Sequence, residues 1–388
     1  MVSKSKNHER MKSMIKHMEE ITIENFRGIK NASFKQLGSV NILVGGNNSG
    51  KTSALEAMNL FTNPLSARNI YDVATARERH VFMRNRLSWL DSINWLFPLN
   101  KDGYREDINI KAIVNDENVE VRIASREEVI LNELKTEESN LIHEEYLMDE
   151  FNTVTEETQC LILTVVYKEN QQALEEEVVF KADVLPRPSI LEESKKKIRC
   201  SIITPVDHRM KPLSIKGLND TILAGDRPKI IAALQYFDEN IQGIELLMPK
   251  SKSSLSSGVL PYIDHKILGL TPITMFGDGV RKALTLASVL LSCQNGILFI
   301  DELETAIHTR MLGKLFKWLV NACKEFNIQL IATTHSLEAI DAIIEANETD
   351  LEELVAYRME SKENQTQVKR FSGDMLYDLR YQFGQDVR

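Results

Sequence analysis

A glycine-rich stretch, VNILVGGNNSGKTS at Val40–Ser53, has the residue types and spacing of a phosphate-binding loop. It follows a short apolar run and precedes a helical pattern. Glycines let the backbone turn so that successive N–H groups and the helix N-terminus face one anion. A lysine adds charge for the β- and γ-phosphates, and a threonine hydroxyl can bind Mg²⁺. The sequence therefore predicts ATP and Mg²⁺ as cofactors, held by Gly45, Gly46, Asn47, Asn48, Ser49, Gly50, Lys51, Thr52 and Ser53, with Thr52 also a metal ligand.

Two carboxylates follow a second apolar run in the segment Asn295–Glu302. Such a run is typical of a strand that is buried on both faces. A carboxylate pair at a strand end, met alone, more often caps the strand than catalyses. Together with a phosphate loop, however, Asp301 is predicted to hold Mg²⁺, directly or through water, and Glu302 to activate the attacking water.

A histidine also follows an apolar run, in the stretch Gln329–Ser336. The pattern predicts a buried strand that ends at the sequence TTHS. His335 lies beyond the apolar residues, where it is predicted to hydrogen-bond a γ-phosphate. The alternative is a histidine with a purely structural role.

A second glycine loop lies at Met275–Lys282, directly ahead of an apolar helical pattern. Its glycines create another helix N-terminus that can bind an anion. One chain has no room for two such loops around one triphosphate. We therefore expect Gly277, Gly279 and Arg281 to bind the nucleotide of a second subunit.

The composition is that of an ordinary globular protein, with 43% hydrophobic and 27% charged residues. No apolar run approaches the ~20 residues of a membrane span, so no membrane association is predicted. The basic stretch 1–19 lacks the apolar segment of a secretory signal; it is expected to be a flexible tail or, alternatively, a nucleic-acid-binding arm. Scattered cysteines without a C-x-x-C pair favour a reduced, cytoplasmic compartment; they are Cys160, Cys200, Cys293 and Cys323.

The net charge of −9 is unevenly distributed. Fourteen acidic and three basic residues in Asn115–Thr158 give that segment a charge of −11. The rest of the chain sums to about +2, so DNA remains a possible partner. An arginine-rich run, Arg77–Arg86, is interpreted as a solvated helix face or as a contact for phosphate or DNA. The acidic segment is expected to bind a protein.

Strand-like patterns begin at Ile21 and lead into the phosphate loop. Ile215–Leu247 is helical in pattern, and between these regions lie several further strand-like runs, including Ile198–Thr204. We predict four parts: 1–19, a flexible basic tail; 20–105, the first half of an ATPase lobe; 106–210, an inserted mixed or β-rich arm; and 211–388, the second half of the lobe.

Four motifs together carry a family resemblance: the strand Glu24–Arg27, the Gly-x-Asn-x-Ser-Gly-Lys-Thr loop with Asn47, the string from Ile300 to His308, and the TTHS sequence. In these motifs the chain resembles ABC-type ATPases of the RecF, SMC and OLD kind, and particularly the short OLD-like ATPase subunits of bacterial antiphage systems. The resemblance covers residues 21–62 and 272–345. It implies an α/β fold, a P-loop NTPase of ABC-ATPase type with an N-terminal antiparallel strand layer.

The resemblance also implies a nucleotide-gated homodimer, or a higher homo-oligomer, that hydrolyses ATP in DNA repair or antiphage defence. Gly277–Gly279 corresponds to the family's Ser-Gly-Gly signature, with glycine at the serine position; backbone N–H groups with Arg281 or Lys282 would replace the missing hydroxyl. A separate effector protein is expected, because no nuclease pattern follows Ile344. One alternative is a sensor or scaffold whose output is ATP-dependent binding and release of a partner. A transport ATPase is another alternative, which the Glu24–Arg27 strand argues against.

Overall fold

The computed structural model describes residues 17–77, 89–133, 155–182, 184, 198–210, 215–248, 258–362 and 365–388. Its strands are β1 Glu20–Phe26, β2 Ile29–Phe34, β3 Val40–Val44, β4 Ile108–Val114, β5 Glu117–Glu133, β6 Thr155–Glu169, β7 Gln172–Lys181, β8 Cys200–Ile203, β9 Ile241–Leu247, β10 Leu260–His265, β11 Gly269–Pro272, β12 Ile297–Ile300, β13 Gln329–Thr333, β14 Leu354–Lys362 and β15 Gln365–Ser372. Its helices are α1 Lys51–Thr62, α2 Ala67–Thr75, α3 Trp89–Asn94, α4 Asp207–Met210, α5 Ile215–Leu223, α6 Arg227–Gln235, α7 Asp278–Ser292, α8 Thr309–Glu325, α9 Leu337–Ala346 and α10 Gly373–Tyr377.

A mostly parallel sheet carries the predicted nucleotide motifs, in the order β15-β14-β3-β13-β12-β8. The strands from β14 to β8 all run parallel to one another, and β15 pairs antiparallel with β14 at the edge. Every residue of β3, β12 and β13 is buried, as the continuous apolar runs predict. Because parallel strands end at one edge, the residues that follow β3, β12 and β13 lie side by side.

An antiparallel sheet with the order β2-β1-β4-β5-β6-β7 covers the other face of α1. One core joins both layers, since it includes Ile21 and Ile110 of the antiparallel sheet, Leu55 of α1, and Phe299 of the parallel sheet. The helix is therefore enclosed between two sheets, which explains why ten of its twelve residues are buried. The predicted α/β architecture with an N-terminal antiparallel layer is confirmed.

The middle of the chain departs from the prediction of an inserted arm at 106–210. Strand β4 pairs directly with β1, from Glu20↔Ile113 to Glu24↔Asn109, so β4–β7 extend the N-terminal sheet. An unpaired edge of β1 would leave backbone groups without partners, and β4 supplies them. The assignment of Ile198–Thr204 to the arm is wrong, because Cys200–Ile203 pairs in parallel with Ile297–Ile300.

A small third sheet, β11-β10-β9, packs with α6 and α7 around a separate core. The prediction that Ile215–Leu247 is helical throughout is wrong at its C-terminal end. Two helices are followed by strand β9, which pairs with β10 from Leu260↔Leu247 to Ile263↔Ile244. Strand β9 buries Ile241 and Ile244 in this core. Their spacing of three residues also fits a helix, which explains the wrong prediction.

The four cysteines are free thiols. Within the part of the chain that the structure describes, no helix is long and apolar enough to cross a membrane. The tail at 1–16, most of the arginine-rich run, and residues 134–154 of the acidic segment lie outside the described residues.

Candidate functional site

The loop between β3 and α1 has backbone angles that only certain residues adopt. Gly45 and Gly50 have φ angles of 144° and 94°, and Asn48 has 60°. A Cβ atom on Gly45 would stand 2.4 Å from the carbonyl oxygen of Met359. Glycine at 45 is thus required by both conformation and space. Gly50 caps α1 without a side-chain hydrogen bond, so the first N–H groups of the helix are available to an anion.

Lys51 lies inside this loop. Its Nζ atom donates to the carbonyl oxygens of Gly45 and Gly46, each at 2.8 Å, and to Ser49 Oγ at 3.4 Å. Burial lowers the pKa of Lys51, and the nearby carboxylates of Asp301 and Glu302 oppose that shift. The ammonium group is therefore directed at the concave side of the loop, where a phosphate would enter.

A chain of hydroxyls and one carboxylate joins the loop to the ends of β12 and β13. Thr52 Oγ1 donates to Asp301 Oδ1 at 3.0 Å, and Thr333 Oγ1 donates to the same oxygen at 2.6 Å. Asp301 is 8% exposed; burial raises its pKa, against the hydrogen bonds from Thr333 and Thr52. Hydroxyl and carboxylate oxygens are the hard ligands that Mg²⁺ prefers.

These donors fit a magnesium ion in a nucleotide site. No cluster of three or more His, Cys, Asp or Glu suited to a metal occurs among the described residues. A phosphate-bound Mg²⁺ needs only one or two protein ligands, because phosphate oxygens and water complete its shell. Thr52 and Asp301 are such a pair.

Glu302 is held in a specific orientation. Its φ angle is 49°, in the left-handed region that is rare for residues with a side chain. Its N–H donates to Thr333 Oγ1 at 2.8 Å, and its Oε2 accepts a hydrogen bond from Thr305 Oγ1 at 2.8 Å. Hydrogen bonds at both ends of the residue hold it in this conformation.

Lys282, which is only 2% exposed, supports the turn that follows Glu302. Its Nζ atom donates to the carbonyl oxygens of Leu303 at 3.0 Å and Thr305 at 2.5 Å. Burial lowers its pKa to about 8. The prediction that Lys282 replaces the serine hydroxyl of the family's signature loop is wrong, because its ammonium group is buried and bonded to carbonyl oxygens of its own chain.

The His335 ring, 54% exposed, stands at the rim of the site. Its Nδ1 atom is 3.2 Å from Glu304 Oε1, and the same oxygen accepts the His335 N–H at 3.1 Å. Thr334 Oγ1 donates to the other Glu304 oxygen at 2.7 Å. The sequence motifs assign no role to Glu304, yet its carboxylate holds the loop that carries His335.

Most of the predicted site residues meet at an open cleft of about 820 Å³. It is lined by Asn47–Ser53, by Asp301 and Glu302, by Thr333–His335, and by two arginines. These are Arg27, at the turn from β1 to β2, and Arg77, which follows α2.

Both arginines pair with one buried carboxylate. Arg77 Nε and Nη2 donate to the two oxygens of Glu56 at 2.8 Å, and Nη2 also donates to Ser53 Oγ at 2.9 Å. Arg27 Nε lies 2.9 Å from Glu56 Oε2. Arg77 is interpreted from the sequence as part of a solvated helix face or as a contact for phosphate or DNA. Its guanidinium group lines the cleft beside the phosphate loop, which favours the phosphate contact over the solvated face, and the contact with DNA stays a prediction.

The second glycine loop does not reach this cleft, since none of Gly277, Gly279 and Arg281 is among its described lining residues. Gly277 caps α7 and has open space around it, whereas a Cβ atom on Gly279 would stand 3.0 Å from the Phe237 ring. Arg281 Nη2 donates to the Thr274 carbonyl at 2.8 Å. Whether this loop binds a nucleotide of a second subunit stays a prediction.

Residues 40–341 match the model of a protein family described as "AAA domain, putative AbiEii toxin, Type IV TA system". The match begins at the strand that leads into the phosphate loop and ends beyond His335, so it contains every motif of the set except the strand Glu24–Arg27. The chain belongs to this AAA-domain family.

A curated relative is similar to most of this chain. The chain is 26% identical over 352 residues to an ATP/GTP phosphatase of Helicobacter pylori, covering 84% of this chain and 87% of the relative. The family match and this relative together confirm the prediction of an ATPase.

Two solved structures share the fold. One is an Smc head bound to the C-winged helix domain of ScpA, with a TM-score of 0.50 and 13% identity over 92% of this chain and 98% of that one. The other is an Smc head with an extended coiled coil, bound to the C-terminal domain of ScpA derived from Pyrococcus furiosus. It has a TM-score of 0.51 and 11% identity over 96% of this chain and 100% of that one. At these identities the likeness shows the fold alone, and it confirms the predicted fold of the ABC-ATPase type.

Proposed function

We propose that this ATPase uses the loop Gly45–Ser53 to bind the phosphates of ATP, Thr52 and Asp301 to hold Mg²⁺, and Glu302 to activate water. The observation that carries the proposal is the hydrogen-bonded chain from Thr52 through Asp301 to Thr333. It brings the phosphate loop, the metal-binding carboxylate and the water-activating carboxylate to one cleft.

Binding follows from the loop and the helix behind it. N–H groups of the loop and of the first turn of α1 converge on the cleft, and Lys51 adds a full positive charge. Arg27 and Arg77 add further positive charge beside the loop. When bound, Mg²⁺ would neutralise charge that develops on the phosphate oxygens.

Hydrolysis then needs a base and an electrostatic partner for the γ-phosphate. Glu302 accepts the proton of the attacking water, while Thr305 fixes the direction of its carboxylate. His335 Nδ1 lies 3.2 Å from Glu304 Oε1, which leaves the other ring nitrogen, Nε2, to donate to a phosphate oxygen.

Substitutions at Lys51 and Glu302 separate binding from chemistry. Lys51→Ala removes the charge beside the phosphates and should abolish tight ATP binding, measured with a fluorescent nucleotide. Glu302→Gln keeps the shape but removes the base, so it should bind ATP and lose about 10²-fold or more in kcat. Turnover of Glu302→Gln equal to that of the parent protein would sink the assignment.

We also propose that ATP closes a homodimer or higher homo-oligomer, with the loop that contains Gly277, Gly279 and Arg281 completing the partner's site. None of these three residues lines the cleft of its own chain, which supports the proposal that the loop serves another copy.

Gly277→Arg tests the composite site better than a change at Gly279 does. A Cβ atom at 277 meets no atom within 4 Å, whereas one at 279 stands 3.0 Å from the Phe237 ring, which would have to shift. Gly277→Arg should therefore fold, bind ATP and fail to hydrolyse it. Mixing it with Lys51→Ala should restore part of the activity, since one of the two sites in the mixed dimer is intact. Absence of complementation, with subunit exchange verified, would refute shared sites.

For the cellular role, we propose antiphage defence or DNA repair with a separate effector protein that binds the acidic segment. The resemblance to OLD-like and RecF-like ATPases supports this role, as does the description of the AAA-domain family. Residues 134–154 have six acidic residues and one basic residue, a charge that attracts a basic protein surface and repels DNA.

Replacement of residues 134–154 by a short Gly/Ser linker tests that role. The paired strands β5 and β6 remain whole, because their register runs from Val119↔Glu169 to Glu133↔Thr155. Basal ATPase activity should stay within a few-fold, while capture of the protein encoded by the neighbouring gene weakens in a pull-down. Unchanged capture together with lost turnover would contradict this division of roles.

A further inference from the structure

The segment Asp378–Arg388, which we call the strap, lies against α9 and reaches the loop that carries His335. Arg388 Nη1 donates to the His335 carbonyl oxygen at 3.0 Å. On the other side, Glu304 Oε1 accepts the His335 N–H at 3.1 Å. Both backbone polar groups of His335 are therefore held by side chains distant in sequence.

The strap is anchored to the body of the protein by both apolar and charged contacts. Val387 is 2% exposed and belongs to the core that includes Ile340 and Ile343 of α9. Arg380 donates to both carboxylate oxygens of Asp341 on α9, at 2.7 and 2.8 Å. Its Nη1 atom donates to the Gln385 carbonyl at 2.8 Å. These contacts fix the path of the strap just before Arg388.

Arg388 is itself oriented by a neighbour. Its Nε and Nη2 atoms donate to Asp386 at 3.0 and 2.8 Å. Because the guanidinium group is planar and rigid, this pairing fixes the direction of the remaining nitrogen. That nitrogen, Nη1, is the one that meets the His335 carbonyl.

We propose that Arg388 is a positioning residue for ATP hydrolysis, which holds the backbone of His335 so that the imidazole faces the cleft. The inference rests on the proposed role of His335 at the γ-phosphate. Nucleotide binding depends on the loop Gly45–Ser53. Among the described residues, no hydrogen bond joins the strap to this loop. Loss of the Arg388 contact should therefore lower kcat and leave the KM for ATP nearly unchanged.

The first measurement is steady-state ATPase kinetics of Arg388→Ala. Loss of one exposed, charge-assisted hydrogen bond should reduce kcat about fivefold, equivalent to ~1 kcal/mol. The KM for ATP should stay within about twofold. Arg126→Ala is the matched control, because Arg126 is also an exposed, ion-paired arginine, bonded to Glu128 and Glu177 on the antiparallel sheet. It should leave both constants unchanged.

A double-mutant cycle with His335→Ala separates a positioning role from general stabilisation. If Arg388 acts through His335, Arg388→Ala should cause no further loss of kcat once the imidazole is gone. A fivefold loss in both backgrounds would overturn the proposal, as would an unchanged kcat for the single Arg388→Ala variant.

The proposed roles of His335 and Arg388 can be refuted separately. If His335→Ala leaves kcat unchanged, the role of His335 at the γ-phosphate is refuted, and with it the inference about Arg388. If His335→Ala slows hydrolysis while Arg388→Ala does not, only the inference about the strap is refuted.

Discussion

Thr333 connects Asp301 and Glu302, the residues proposed to hold Mg²⁺ and to activate water, and its removal should damage stability and turnover together. The residue is 1% exposed. Its hydroxyl donates to Asp301 Oδ1 at 2.6 Å and accepts the Glu302 N–H at 2.8 Å. Thr333→Val keeps the shape of the side chain and removes both hydrogen bonds.

The expected loss of stability in Thr333→Val follows from the two polar groups that lose their partner, the Asp301 carboxylate and the Glu302 N–H. A hydrogen bond to a charged group contributes ~1.5–3 kcal/mol, and a buried N–H without a partner costs ~1–3 kcal/mol. These terms overlap, so we expect the free energy of unfolding to fall by ~3 kcal/mol. Glu302 would also be freed from its left-handed φ of 49°. A displacement of a catalytic group by ~1 Å lowers turnover by about 10²-fold.

Urea unfolding and steady-state ATPase assays measure the two effects separately. Thr333→Ser is the matched control, because it keeps the hydroxyl and loses one methyl group, at ~1 kcal/mol of stability. Its kcat should stay within a few-fold of the parent value. The reasoning is refuted if the valine and serine variants hydrolyse ATP at the same rate, or if Thr333→Val loses stability without losing turnover.

Three further substitutions test separate parts of the site. Lys282→Met leaves buried carbonyls without a donor and should lower the free energy of unfolding by ~2 kcal/mol; a urea midpoint equal to that of the parent would contradict this role. Arg77→Ala removes positive charge from the cleft and should weaken ATP binding about fivefold in a titration. Arg68 forms an exposed ion pair with Asp72 on α2, so Arg68→Ala is the control and should leave ATP affinity unchanged. Equal ATP affinities in the two variants would argue against a role of Arg77 in binding. Gly45→Ala places a methyl group against the Met359 carbonyl and should abolish nucleotide binding, so retained binding would show that the loop tolerates a side chain there.

The nucleotide motifs were readable from the sequence because each one is short and contiguous. The loop before Lys51, the carboxylates after β12 and the histidine after β13 each follow a buried strand, and parallel strands bring their ends together. The sequence predicts the types of these groups and the edge of the sheet where they lie.

The supporting residues were not readable, because their contacts are distant in sequence. Glu56 and Arg77 are separated by 21 positions, and Arg388 and His335 by 53. A buried lysine such as Lys282 resembles any other basic residue beside a glycine loop until its neighbours are known. The strand Ile241–Leu247 was missed because its apolar residues are spaced three apart, which suits a helix equally well.

The hydrogen bond between Thr52 and Asp301 spans 249 positions, which has a consequence during protein synthesis. A nascent chain that has emerged only as far as the phosphate loop lacks the strands on one side of it and the carboxylates opposite. ATP stabilises only the state that binds it, so it cannot assist folding until β12 and β13 have left the ribosome. Helix α1 therefore stays uncovered on one face until β12 and β13 have been synthesised. We expect chaperone association to be strongest during that interval.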